Sequence, residues 1–176
     1  GGKPPMRDYT PRAFDAATGE LTVEFALHDD PGPATAWAIA AQVGDTVEIG
    51  GPRGSTLIAP TLDWYLLLGD EAALPAIRRR MAEWPDATVQ ALVAVAGPGE
   101  ELALDLAPGH GVQWVHRPAA AAGDPAALLA ALAAWEFPAG DGFVWIAAEA
   151  GVARSLREAV LARGLPPTRL KAAGYW

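Results

Sequence analysis

Six consecutive residues near the start of the chain carry its densest chemistry: Arg7-Asp8-Tyr9-Thr10-Pro11-Arg12. Drawn out as a strand, this run sends Arg7 and Tyr9 to one face and Asp8, Thr10 and Arg12 to the other. It offers an anion a cation, a flat ligand a ring, and a ligand's hydrogen-bonding edge a hydroxyl or backbone group. Alone, it reads rather as a solvated edge strand with a part-buried tyrosine. A second group follows in Gly32-Pro33-Ala34-Thr35-Ala36-Trp37, the opening of a short helix predicted over 33–41. Proline suits the first helical turn, where its missing N–H is no loss. The small side chains leave the free first-turn N–H groups approachable and the helix dipole adds positive potential, which together make a phosphate seat. The competing reading is an ordinary capped helix whose Trp37 fills a barrel wall.

Further along, Gly50-Gly51-Pro52-Arg53-Gly54-Ser55 is a tight loop holding one cation, Arg53, in a setting that lets a bound group approach the backbone. Gly69-Asp70-Glu71-Ala72-Ala73-Leu74 follows a buried apolar run and leads into a helix. That is the opening of a nucleotide-binding unit, although the full three-glycine dinucleotide fingerprint is missing. Glu71 and Glu149 are placed either to contact a ribose or nicotinamide or to stabilise their own helix dipoles.

Other chemistries are excluded or disfavoured by composition. The 176 residues include no cysteine, which removes disulfides, thiolate metal sites, iron–sulfur ligation and cysteine nucleophiles. His28, His110 and His116 fall in no helical metal-ligand spacing, so no zinc site is expected. A formal net charge of −8 with no long basic run disfavours nucleic acid as a partner. No apolar run reaches spanning length and no signal peptide opens the chain, so a cytoplasmic protein is expected. Ser55 and Ser155 lie in no nucleophile elbow.

The elements that position these groups divide near residue 60. Before it the pattern is strand-rich. Residues 16–20 have turn chemistry, Leu21 to His28 alternates apolar and polar as a half-buried strand does, and Thr46 to Ile49 reads as a further strand. After it, apolar strands at Trp64–Leu68, Thr88–Val95, Val112–His116, Phe143–Ala148 and Leu170–Trp176 alternate with helices over Ile77–Trp84, Asp124–Trp135 and from Glu149 to Gly164. The alternation predicts a mostly parallel sheet covered on both faces, with ligands beyond the carboxyl ends of the strands at the topological switch point.

In order and spacing, these segments resemble the siderophore-interacting proteins, the ferric-siderophore reductase branch of the ferredoxin–NADP reductase-like flavoenzymes. The matching stretches are Arg7 to Arg12, containing the family's Arg-x-Tyr-Thr, then His28 with Gly32 to Ala38, Gly44-Asp45, and Gly51 to Ser55. They continue through Leu68 to Ile77, Val144 to Glu149 and Gly174-Tyr175-Trp176, covering nearly the whole chain.

The resemblance implies part of an antiparallel Greek-key FAD-type barrel over 1–60, followed by an NAD(P)-binding α/β domain over 61–176. Arg7 would pair with the FAD pyrophosphate, Tyr9 would lie against the isoalloxazine, and Thr10 would reach the ring edge. Arg12 would join this cofactor shell. His28 and the helix start from Gly32 through Pro33, Ala34, Thr35 and Ala36, with Trp37, would hold the phosphates. Gly69, Asp70, Glu71, Ala72 and Leu74 would face the nicotinamide nucleotide, with Glu149 nearby. Tyr175 and Trp176 would approach the flavin or nicotinamide pocket, or serve as core plugs. Relatives carry several barrel strands and a substrate-facing segment before the Arg-x-Tyr-Thr motif, whereas six residues precede it here. The expectation is therefore a longer parent protein or another chain pairing with the open edge.

The implied activity is reduction of ferric siderophores by NADPH or NADH through FAD, releasing Fe(II). The substrate is a small ferric chelate, and Arg53, Lys171 and Arg12 are the cations available to an anionic one. No side chain is needed as nucleophile or base. Alternatives are an NAD(P)H:flavin oxidoreductase with another acceptor, and a non-catalytic module without bound flavin. Arg78 to Arg80 either reach a 2′-phosphate or form the wet face of a helix.

Overall fold

A computed structural model describes residues 6–27, 31–51, 54 and 56–176. His28 and Arg53 therefore lie outside the described residues. The chain forms two compact units, 1–59 and 60–176.

In the first unit, β1 (Pro11–Asp15) and β2 (Glu20–Val23) pair antiparallel across a turn closed by Gly19 at φ 75°. The Asp15 carboxylate accepts from Ala17 N–H and tightens that turn. The register shifts between Pro11 and Ala13, so Arg12 sits at an irregularity rather than in strict alternation. Helix α1 (Pro33–Ala40) begins after Gly32, as its composition predicts. The predicted strand at Thr46–Ile49 does not form, and Val47 and Ile49 stay exposed. Alternation alone does not make a strand. A partner must take up its N–H and C=O groups, and the sheet among the described residues of this unit has only two strands.

The second unit is a five-stranded parallel sheet built from β3 (Trp64–Asp70), β4 (Val89–Val95), β5 (His110–His116), β6 (Gly142–Ala148) and β7 (Leu170–Gly174). Their order is β5-β4-β3-β6-β7, and every neighbouring pair is parallel. The central strands β3, β4 and β6 are the continuous apolar runs, because both of their faces are covered. The edge strands expose Gln113 and Lys171. Helices α3 (Ala126–Ala134) and α4 (Ala150–Ala162) cover one face, where Leu66, Leu68, Leu92, Val144 and Ile146 meet Leu128, Leu132, Val152 and Leu156. Helix α2 (Leu74–Glu83) leads into Trp84, which stacks on Tyr65 with ring centroids 4.4 Å apart. Tyr65 alternates with Leu66, so α2 covers the opposite face.

The chain leaves β3 to one side through α2 and β4, and returns on the other side through β6. The carboxyl ends of β3 and β6 therefore flank the crevice at which an open α/β sheet takes a ligand. Gly69 brings this edge together. A Cβ there would lie 2.7 Å from the Ala147 carbonyl oxygen and 2.8 Å from Ala73 Cβ, so only glycine lets β3, β6 and the start of α2 converge. Among the described residues, no helix is long and apolar enough to cross a membrane.

Candidate functional site

Each unit carries its own cluster. In the first, the tip of α1 is built from residues with nothing to block it. Gly32 caps the helix without a side-chain hydrogen bond, Pro33 opens it, and Ala36 N–H closes the first turn on the Gly32 carbonyl. Thr35 is buried here, and its hydroxyl oxygen lies 3.5 Å from the Tyr9 hydroxyl. The Tyr9 ring in turn leans on Phe25, with centroids 4.4 Å apart. The aromatic residue of the opening run and the helix tip thus meet across 26 positions of sequence. A hydroxyl pair beside an uncapped helix start matches the chemistry of a phosphate or a polar ring edge.

Arg7 is exposed and donates to the Met6 carbonyl. The Nε of Arg12 lies 3.9 Å from a Glu24 carboxylate oxygen and is buried without a hydrogen-bond acceptor among the described residues. Thr10 is half-buried, Trp37 is 38% exposed, and Ala34 sits half-buried in the first turn of α1.

In the second unit the cluster centres on Asp70, the last residue of β3, which is buried at 2% exposure. One carboxylate oxygen accepts from Ala72 N–H at 3.1 Å and Ala73 N–H at 3.3 Å, which closes the turn between β3 and α2. The other accepts from Glu149 N–H and from the Trp176 indole N–H, both at 3.1 Å. Burial pushes the Asp70 carboxyl above the ordinary aspartate range and the neighbouring Glu71 adds to the shift, while these donors work against it. One side chain therefore ties together the end of β3, the start of α2, the start of α4 and the C-terminal aromatic residue. Trp176 is held again by Ala150 N–H on its carbonyl, and Tyr175 stands edge-on to Trp145. Leu74 is buried as the first residue of α2.

Glu149 is the N-cap of α4, its carboxylate accepting from Gly151 N–H at 2.6 Å and Val152 N–H at 2.9 Å. Glu71 reaches sideways instead. Both of its oxygens take hydrogen bonds from Arg117 Nη2, at 3.0 and 2.7 Å. Arg117 directly follows β5, is 5% exposed, and its Nη1 is buried without an acceptor among the described residues. Sequence reasoning passed over Arg117. The available signal was a cation placed straight after the Val112–His116 strand.

The Arg78–Arg80 run divides by face. Arg79 pairs with Glu83 at 2.9 Å on the helix surface, while the Arg80 guanidinium lies 5.5 Å from the Trp145 ring centroid and 5.7 Å from that of Trp84. Burial draws Arg80 below its usual value. Lys171 is exposed on the edge strand β7. Ser155 donates to the Gly151 carbonyl one turn back in its own helix.

A parallel sheet with this strand order takes a ligand at the carboxyl ends of its central strands. A family sequence model described as "Siderophore-interacting protein" matches residues 62–176, and one described as "Siderophore-interacting FAD-binding domain" matches residues 1–56. The chain belongs to the siderophore-interacting protein family.

Within this family, the chain is 36% identical over 180 residues to the NADPH-dependent ferric-chelate reductase of Escherichia coli, covering all of this chain and 68% of that protein. Among solved structures it is similar to a siderophore utilization protein from T. fusca, with a TM-score of 0.87 and 44% identity. That match covers 97% of this chain and 65% of the other. It is also similar to the siderophore-interacting protein SipS of Aeromonas hydrophila, with a TM-score of 0.82 and 30% identity, covering 98% and 68%. A ferredoxin NADP+ reductase from Neisseria gonorrhoeae, at 14% identity and a TM-score of 0.52, shares the fold. The chain thus spans about two thirds of the length of these siderophore-interacting relatives. The fold is α/β and ferredoxin–NADP reductase-like, with a short antiparallel portion of the FAD-type unit ahead of the parallel sheet.

Proposed function

We propose that this chain is the reductase part of a flavoenzyme that uses NADPH or NADH to reduce ferric siderophores and release iron as Fe(II). The observation that carries this reading is the meeting of Tyr9 with Thr35 at the uncapped start of α1, in a chain whose second unit has a nucleotide-type switch point. The E. coli relative, named a ferric-chelate reductase, supports the same direction.

The residues present fit both nucleotides. The first turn of α1, with Pro33, Ala34, Thr35 and Ala36, would receive FAD phosphate oxygens, Tyr9 would lie against the ring system, and Thr10 would bond its edge. Arg7 would add positive charge there, and His28 would join in holding the phosphates. Flavin chemistry, when that group is bound, is acceptance of a hydride from NAD(P)H and delivery of electrons singly to ferric iron. The second unit would orient the dinucleotide at the end of β3 and β6. Asp70 shapes the crevice by closing the β3–α2 turn and Glu149 by capping α4, and Trp176 is fixed at its border by the Asp70 carboxylate. Arg12, Arg53 and Lys171 are the cations suited to an anionic ferric chelate. Hard oxygen ligands hold Fe(III) far better than Fe(II), so reduction itself loosens the metal. With NAD(P)H as reductant, the proposed reaction is a cytoplasmic one.

The test is an anaerobic titration of the purified chain reconstituted with FAD. The expected result is a flavin absorbance band that bleaches on NADPH addition and returns when a ferric siderophore is added, with Fe(II) trapped by a chromogenic chelator. Recovery with free flavin and not with the ferric chelate would favour a flavin reductase. A chain that retains no FAD at micromolar concentration would leave a non-catalytic module.

A further inference from the structure

The dinucleotide crevice contains an electrostatic contradiction. A pyridine dinucleotide brings a diphosphate to the carboxyl edge of the sheet. The first turn on that edge, between β3 and α2, carries two adjacent carboxyls, Asp70 and Glu71. Two of its amides are already engaged, since Ala72 N–H and Ala73 N–H bond Asp70. Asp70 is buried and surrounded by N–H donors, so its charge is contained. Glu71 is not contained in this way: its side chain is 32% exposed on the same turn.

Arg117 removes the contradiction. Its guanidinium reaches from the end of β5 past the end of β4 and bonds both Glu71 oxygens. Stability alone is a weak reason for an arginine there, since a buried ion pair is often matched or bettered by apolar residues of similar volume. Here Nη1 is buried and has no acceptor among the described residues.

We propose that Arg117 is a positioning residue of the dinucleotide crevice: by holding and neutralising Glu71, it lets the β3–α2 turn admit the anionic half of NAD(P)H. This rests on the dinucleotide-dependent reading above and adds to it a residue and a role.

The experiment is calorimetric binding of NADP+ to the 176-residue chain and to R117M, E71Q and the double variant E71Q/R117M, with melting curves measured alongside. R117M is expected to bind about tenfold more weakly, with part of the loss recovered as salt is raised, because screening weakens repulsion. E71Q is expected to bind at least as tightly as the wild type, and the double variant within about threefold of it. R117M binding like the wild type overturns the proposal, as does a double variant as weak as R117M. If R117M does not fold, the comparison of E71Q with E71Q/R117M decides: equal affinities support the proposal, and a tenfold loss on removing the arginine overturns it. A folded wild type that binds no NADP+ overturns the dinucleotide-dependent function itself and this role with it, an outcome distinct from wild-type binding that R117M leaves unchanged.

Discussion

At the scale of the residue, Asp70 and Thr35 do the most for their surroundings. Asp70 has a folded pKa raised above the ordinary 3.8, first by burial and then by Glu71. The sign follows from linkage. Between the unfolded and the raised folded value, the folded state binds more protons, so stability falls as pH rises through that window. Asp70→Asn carries no such charge. Wild-type stability measured against D70N is therefore expected to be greatest below pH 3.8 and to decline as pH rises through the folded pKa, which melting curves across that range would record. At neutral pH, D70N also mismatches one of its two pairs of donors, Ala72 and Ala73 or Glu149 and Trp176, since its amide has one acceptor oxygen and presents N–H on the other side. In the first unit, Thr35→Val keeps the shape of a buried side chain and deletes the hydroxyl beside Tyr9. The expected outcome is FAD affinity reduced about fivefold, in line with roughly 1 kcal/mol for one hydrogen bond, with the melting temperature little changed. A fluorescence titration of FAD checks it.

At the scale of the element, the site is made by ends of strands and starts of helices. α4 begins where it does because Glu149 caps its own first turn, and the turn before α2 is closed by Asp70 from β3. The two starts are joined because β3 and β6 lie close enough for Asp70 to accept from Glu149 N–H. Gly69 permits that approach, so Gly69→Ala is expected to cost about 1–3 kcal/mol, as overpacking against the backbone carbonyl of Ala147 does. A urea denaturation series would show the midpoint lowered with an unchanged slope. Gly142→Ala belongs to the same class, since its Cβ would fall within the Trp64 indole.

At the scale of the whole molecule, the two units differ in how completely they build a core. In 60–176 the apolar residues of five strands and three helices close on one another. In the described part of 1–59, Phe14, Leu27, Ile39, Val47, Ile49 and Leu57 are exposed. A fragment spanning 60–176 is therefore expected to melt cooperatively and to keep NADP+ affinity, whereas 1–59 alone is expected to show no cooperative transition. Circular dichroism on the two fragments decides this.

The division between what the sequence and the tertiary structure each determined follows from the range of the interactions. Continuous apolar runs such as Trp64–Leu68 and Phe143–Ala148, and the Gly32-Pro33 helix start, are local signals. They were sufficient to read a parallel nucleotide-type sheet and a helix tip ahead of it. The meeting of Tyr9 with Thr35 was legible only through the family resemblance. The strand expected at Thr46–Ile49 failed because a ladder needs a neighbour that no local pattern supplies. The Arg117–Glu71 bond, across 46 residues, and the Asp70–Trp176 bond, across 106, belong to the tertiary structure alone. A carboxylate's partner is set by which strand ends the sheet order brings side by side, and no spacing along the chain records that order.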